Sequence, residues 1–179
     1  RDAAGIHAED TPVVSFSLAE DELRSMGAGK MIGNYASWNY FQSVKNTENA
    51  SFIQAFKAKY GDDRVTDDPM EAGYFGVYLW AQAVEQAGDP DVKFVQETIT
   101  DQDFSAPEGV VLVDPETQHT WKVVRIGKIQ ADGQFEVVWT SNGPVRPIPY
   151  PVYRSQAQWD TFLNDLYTGW GNTWSNPGS

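Results

Sequence analysis

Cysteine is absent from the 179 residues, which excludes disulfides and thiol chemistry. It leaves the redox compartment open, because an oxidising compartment does not require bridges. Basic clusters are missing too. The densest basic neighbourhood is Lys122, Arg125 and Lys128, spaced along an expected strand. With a formal charge of −12 and a pI near 4.4, the chain lacks the surface that nucleic acid or an anionic membrane requires. No apolar run reaches the roughly 18 residues of a membrane-spanning helix, and no signal peptide opens the chain. Only two histidines occur, His7 and His119, both in polar segments beside turns. A Gly-x-Ser-x-Gly elbow and a glycine-rich phosphate loop are both lacking. Asp62, Asp63, Asp67 and Asp68 lack the Gly and terminal Glu of a calcium loop and read as turn acids. The expectation is a protein that is not an enzyme and uses no cofactor and no metal. No initiator methionine is present, and Arg1-Asp2-Ala3-Ala4-Gly5 reads as the tail of a helix with a glycine stop. A fragment or mature product of a longer chain is therefore expected.

What is present is enough to build a core. The apolar fraction is 41%, with seven Trp, eight Tyr and nine Phe. Residues 12–16 read as a buried strand, Ser17-Leu18-Ala19-Glu20 as a capping box opening a helix to Gly27, and 31–35 as the next strand. Strand, helix and strand within so short a span indicate a parallel α/β arrangement. Asn46 or Thr47 caps a helix over about 48–60 that Gly61 stops. Asp89-Pro90 opens another helix, 101–109 reads as a polar loop, and 110–113 as a strand. Trp121–Ile129 and Gln134–Trp139 flank Ala131-Asp132-Gly133, a hairpin signal. Prolines 144, 147, 149 and 151 then impose an extended stretch. Ser155 caps a last helix with Trp159, Phe162, Leu163 and Leu166 facing inward, and residues 172–179 read as frayed.

Two stretches offer chemistry. Asp68 is placed as the cap of a long helix with Pro69 at its first position and Glu71 completing a capping box. The helix body, Ala72–Val84, is apolar on almost every side and is expected to be buried from several directions. Its N-terminus, with Asp67, Asp68 and Glu71, either holds a polar ligand or is only capped by these acids. Ala36–Ser43 mixes aromatic and polar residues beyond a strand end, where ligands bind in open sheets. Trp38 and Tyr40 either plug the core edge or wall a pocket in which Ser37 and Asn39 supply hydrogen bonds. A site combining these with carboxylates suits a ligand rich in N–H donors, such as an amide or urea.

The order and spacing of six stretches carry a likeness. These are Pro12-Val13-Val14-Ser15-Phe16-Ser17-Leu18-Ala19-Glu20, Gly33–Ser43, Arg64–Tyr74, Ala106-Pro107-Glu108-Gly109, Val124-Arg125-Ile126-Gly127 and Gln130–Trp139. Over roughly residues 3–150 the chain resembles the C-terminal half of urea-binding proteins of ABC importers, within the type I periplasmic binding proteins. The resemblance implies an α/β fold of two lobes, with parallel sheets flanked by helices, closing on a ligand at a hinge. It implies that 1–64 belong to the second lobe, 65–107 return to the first, 108–145 cross back as an antiparallel hairpin, and 146–179 form a Pro-rich segment and C-terminal helix. It further implies a periplasmic or extracytoplasmic location, a signal peptide in the precursor, and urea or a short-chain amide as ligand. The implied partners are ABC permease membrane subunits and the N-terminal half of the same protein, with no nucleic acid. Ligand-binding residues are expected among Ser37, Trp38, Asn39, Tyr40, Asp67, Asp68, Glu71 and Tyr74. The alternatives are a receptor for a branched-chain or other amino acid and a cytoplasmic amide-sensing regulator.

Overall fold

A single crossover organises the first part of the chain. In the computed structural model, which describes residues 4–100 and 102–175, β1 (Val14–Ser15) leads through α1 (Glu20–Met26) to β2 (Tyr35–Trp38). The two strands pair in parallel, with Val14 opposite Tyr35. The strand expected over 31–35 is displaced, because Met31 and Ile32 donate to Ala28 O in a turn. Asn34 holds the strand entry: its buried side chain accepts from Val13 N and donates to Met31 O, both at 3.0 Å. The expected capping box is displaced as well. Ala19 occupies the N-cap and Glu22 accepts from its N–H at 2.8 Å, while Ser15 Oγ accepts from Ser17 N and Leu18 N.

α2 (Thr47–Tyr60) starts on Asn46, whose Oδ1 accepts from Asn49 N at 2.7 Å. It stops at Gly61, whose φ of 114° disfavours any side chain. α3 (Asp68–Ala87) and α4 (Val92–Thr98) follow. β3 (Asp103–Ala106) and β4 (Gly109–Val113) form a hairpin across Pro107-Glu108, and β5 (Thr120–Trp121) pairs antiparallel with β4. Part of the polar loop expected over 101–109 is therefore strand. Phe104 and Ala106 turn inward between exposed Asp103 and Ser105, an alternation too short to stand out in sequence.

The chain then changes sheets. Trp121–Ile129 reads as one strand, yet it is broken at Lys122–Val124, and β6 (Arg125–Ile129) pairs with β2 instead of β4. β7 (Phe135–Thr140) returns antiparallel to β6 around Gly133, whose φ is 78°. One sheet runs β1-β2-β6-β7 and the other β3-β4-β5. Among the described residues only β1 and β2 are parallel neighbours, which corrects the expectation of parallel sheets. Parallel pairing needs a long crossover, and only α1 supplies one; the short turns elsewhere impose antiparallel neighbours.

Each sheet has its own core. Leu18, Leu23, Ala36, Phe41, Ile129 and Phe135 fill one, and Phe75, Leu79, Ala106, Val111 and Val113 the other. α3 contributes one stripe, Phe75, Leu79 and Ala83, at the spacing of successive turns. Val77 and Trp80 on its other faces are exposed, so burial from several directions is not found. A row of rings, Phe56, Phe52, Tyr74, Tyr78 and Phe104, with successive centroid separations of 6.3, 4.7, 4.9 and 5.0 Å, carries packing from α2 across α3 to β3.

These elements belong to one unit, residues 1–146; residues 147–179 form another. The second contains α5 (Gln156–Gly169), capped as expected by Ser155, whose Oγ accepts from Gln158 N at 3.3 Å. None of its residues is buried. Two members of the stripe expected to face inward instead flank Arg154, whose guanidinium lies 4.8 Å from the Trp159 ring and 5.3 Å from that of Phe162. Residues 1–3 and 176–179 lie outside the described residues, and with them part of the helix tail read at 1–5 and of the end read as frayed.

Gly127 on β6 tests the packing of the first core. A Cβ there would stand 2.7 Å from Phe41 Cζ and 2.9 Å from Phe135 Cβ. Gly127→Ala is expected to cost about 1–3 kcal/mol, read as a lower melting temperature. Gly73→Ala, on open helix surface, is expected to leave the melting temperature unchanged or raise it.

Candidate functional site

The carboxyl ends of the parallel strands are the place to look. The segments that leave β1 and β2 lie side by side: Trp38 Nε1 donates to Leu18 O at 2.8 Å, and Gln42 N donates to Glu20 Oε1 at 2.7 Å. Phe16 stands at this edge with 74% of its surface exposed. The N-terminus of α3 meets the same edge. Asp67, in extended backbone, is the actual N-cap, its Oδ1 accepting from Met70 N at 3.0 Å. The cap expected at Asp68 is thus one residue early, and this frees the Asp68 carboxylate. Its Oδ2 accepts from Asn39 N at 2.9 Å and from Tyr40 N at 2.8 Å. Glu71, one turn on, accepts at Oε1 from Glu108 N at 3.1 Å, which ties α3 to the β3–β4 turn.

Asn39, Tyr40, Asp67, Asp68 and Glu71 therefore come together, but by bonding one another and the backbone. Tyr40 is fully buried: its hydroxyl donates to Asn49 Oδ1 and lies 2.7 Å from Thr66 Oγ1, so the ring is an anchor and walls no pocket. Asn39 Nδ2 donates to Val123 O at 2.9 Å. Ser37 and Trp38 lie on β2 and are half-buried, with the Trp38 ring packed against the first core. Tyr74 stands apart, packed at a tilt between Phe52 and Tyr78 beside a cleft of about 270 Å³ that Thr47, Ser51 and Ser105 also line. A cavity of about 1010 Å³ opens between His7, Glu9, Lys30, Tyr35 and Gln130, and none of the eight expected residues lines it.

The charged groups of the junction escaped the sequence reading. Arg125, buried at the start of β6, donates through one nitrogen to Asn39 O and through the other to Glu108 O at 2.7 Å. Lys122 Nζ lies 2.8 Å from Glu108 Oε2 and 5.0 Å from the centre of the Phe75 ring. Glu108 and Arg125 were signalled only by their place in the motifs Ala106-Pro107-Glu108-Gly109 and Val124-Arg125-Ile126-Gly127, and Lys122 only by its basic neighbourhood, since nothing local marks a charge as buried. Burial pushes the Glu71 carboxyl up to about 8, and the charge of Glu108 adds to the shift. Burial raises Glu108 as well, against the pull of Lys122. It also raises Asp67 and the Tyr40 phenol, and it lowers the Arg125 guanidinium. Among the described residues no group of three or more His, Cys, Asp or Glu side chains is arranged to hold a metal ion.

Against known proteins, a model of the periplasmic binding protein domain matches residues 1–156. The chain belongs to that family. A solute-binding protein of an ABC transporter from R. palustris, in complex with 4-hydroxybenzoate, matches with a TM-score of 0.71 at 21% identity, over 86% of this chain and 42% of that one. A leucine-binding protein from Thermotoga maritima matches at 0.57 and 20% identity, over 68% of this chain and 34% of that one. A protein named limonene hydroxylase from Geobacillus stearothermophilus is 32% identical over 124 residues, which is 69% of this chain and 23% of that protein. The chain thus spans less than half the length of each. Its fold is that of solute-binding proteins. The hydroxylase name belongs to a protein most of which has no counterpart here.

Asp68→Ala removes the acceptor of two backbone N–H groups and is expected to cost about 2–4 kcal/mol in denaturant unfolding. Asp68→Asn keeps an acceptor oxygen and is expected to recover most of that loss. Glu20, buried beneath the same edge, is pushed by desolvation from 4.5 to about 8 although Gln42 N donates to it. The folded protein therefore holds a proton that the unfolded chain releases. That contribution is complete below about 4.5 and is lost as pH rises to about 8, by up to roughly 1.4 kcal/mol per pH unit. Melting temperatures are expected to fall across this window, and less steeply in Glu20→Gln.

Proposed function

We propose that the chain is part of the solute-binding receptor of an ABC importer, acting on the extracytoplasmic side of the membrane with permease subunits as partners. Its ligand is a small organic acid of the amino-acid kind. Family membership and the fold support the receptor role. The state of the α3 acids carries the choice of ligand. Urea or a short amide needs free carboxylates to accept its N–H groups, yet Asp67, Asp68 and Glu71 already accept from backbone N–H groups of Met70, Asn39, Tyr40 and Glu108. What the strand ends expose instead is apolar surface at Phe16. The related structures are consistent with this, holding 4-hydroxybenzoate in one case and named for leucine in another.

In this reading residues 1–64 and 108–145 serve the second lobe and 65–107 the first. The ligand lies against the segments after β1 and β2, touching Ser37, Trp38 and the Asn39 loop, with Tyr74 further off. Arg125 and Lys122 are committed to Asn39 and Glu108, so the donors for a ligand carboxylate come from the remainder of the receptor. Closure excludes water and makes each mismatched polar group costly, which supplies selectivity. Calorimetric titration of leucine, 4-hydroxybenzoate, urea and acetamide into the full-length receptor tests the assignment. Heat with leucine or the aromatic acid is expected, lost or weakened at least about tenfold in Phe16→Ala. Heat with urea or acetamide alone would overturn the acid reading.

A further inference from the structure

Two carboxylate oxygens at the junction lack a hydrogen-bond partner, Glu71 Oε2 and Glu108 Oε1, while Glu108 Oε2 is met by Lys122 Nζ at 2.8 Å. All three oxygens are sealed from solvent. They belong to adjacent groups, since Glu71 Oε1 accepts from Glu108 N and the two carboxyls are within hydrogen-bonding reach of each other. Two ionised carboxylates can only accept, so they would repel and leave Glu71 Oε2 and Glu108 Oε1 unsatisfied. A proton on one carboxyl converts it into a donor and the pair into a single hydrogen-bonded unit.

The surroundings decide which carboxyl holds it. Lys122 Nζ is 2.8 Å from Glu108 Oε2, so the negative charge is stabilised on Glu108 and the proton sits on Glu71. The charged groups that face the pair are Asp68 on α3, Lys122 between β5 and β6, and Arg125 on β6, with the Tyr40 phenol behind. Asp68 and Glu108 balance Lys122 and Arg125 only when Glu71 is neutral. These residues lie where the chain passes between the two sheets. Glu71 holds the β3–β4 turn through Glu108 N, Arg125 joins Glu108 O to Asn39 O, and Asp68 holds the Asn39–Tyr40 backbone.

We propose that Glu71 and Glu108 share one proton at neutral pH and that this proton locks the β3–β4 turn to α3. Its removal leaves an unbalanced negative charge in a dry site, and the contacts of the β3–β4 turn with α3 and β6 give way. The lock is independent of which solute the receptor takes.

Infrared spectroscopy and hydrogen-exchange mass spectrometry on the full-length protein test this in two steps. A protonated-carboxyl C=O band is expected at neutral pH that Glu71→Gln removes and Glu20→Gln does not. Exchange of peptides covering 105–112 and 36–42, corrected for intrinsic rate, is expected to accelerate roughly tenfold per pH unit above about 8. Glu71→Gln, which carries a permanent donor, is expected to stay protected there. If that variant fails to fold, the wild-type band and its loss along with protection still decide the matter. The absence of a protonated-carboxyl band beyond that of Glu20 would overturn the proposal. So would junction exchange that stays constant from about pH 7 to about pH 9.

Discussion

The Asp68 carboxylate is the constraint on which this structure turns. One of its oxygens takes the backbone N–H groups of both Asn39 and Tyr40, residues that leave β2 and have no strand partner there. Without that acceptor two backbone donors would be unpaired, and the start of α3 would be tied to the segment after β2 only through the bonds of Thr66 to Tyr40 and Gln42. Asp67 makes this possible by capping the helix, so that its neighbour can serve another element. The division of labour between two adjacent aspartates joins two cores that share no apolar cluster.

Around that contact the chain assembles a dry junction of charges instead of an apolar seam. Glu71 ties α3 to the β3–β4 turn, Lys122 pairs with Glu108 on that turn, and Arg125 on β6 crosses from one sheet to the other by donating to Glu108 O. Buried polar groups contribute little net stability, but their geometric demands are strict, so they select one arrangement. Apolar surfaces slide, whereas a set of directional bonds either forms or breaks.

Much of the local structure was legible in sequence, and the reasons are physical. Asn46 and Ser155 have the side-chain acceptors that caps need, Gly61 the freedom to take a positive φ, and Ala131-Asp132-Gly133 the turn chemistry of a hairpin. Errors arose where a choice depended on distant residues. Asp67 and Asp68 are equally able caps, and only the position of Asn39 and Tyr40 decides between them. Trp121–Ile129 is uniformly strand-like, and its division between two sheets follows from pairing partners that lie far along the chain. Tyr40 and Trp38 have the composition of a pocket wall, yet their polar atoms found partners inside the fold.

By itself, then, the sequence determined the α/β class, the helix ends, the hairpin, the family and the absence of thiol chemistry, because these rest on residue type and short spacing. The tertiary structure alone decided which acids are free, which aromatic rings are anchors and where the buried charges meet. Those outcomes depend on burial and on hydrogen-bond partners tens of residues away, and a carboxylate's chemistry is set by what surrounds it.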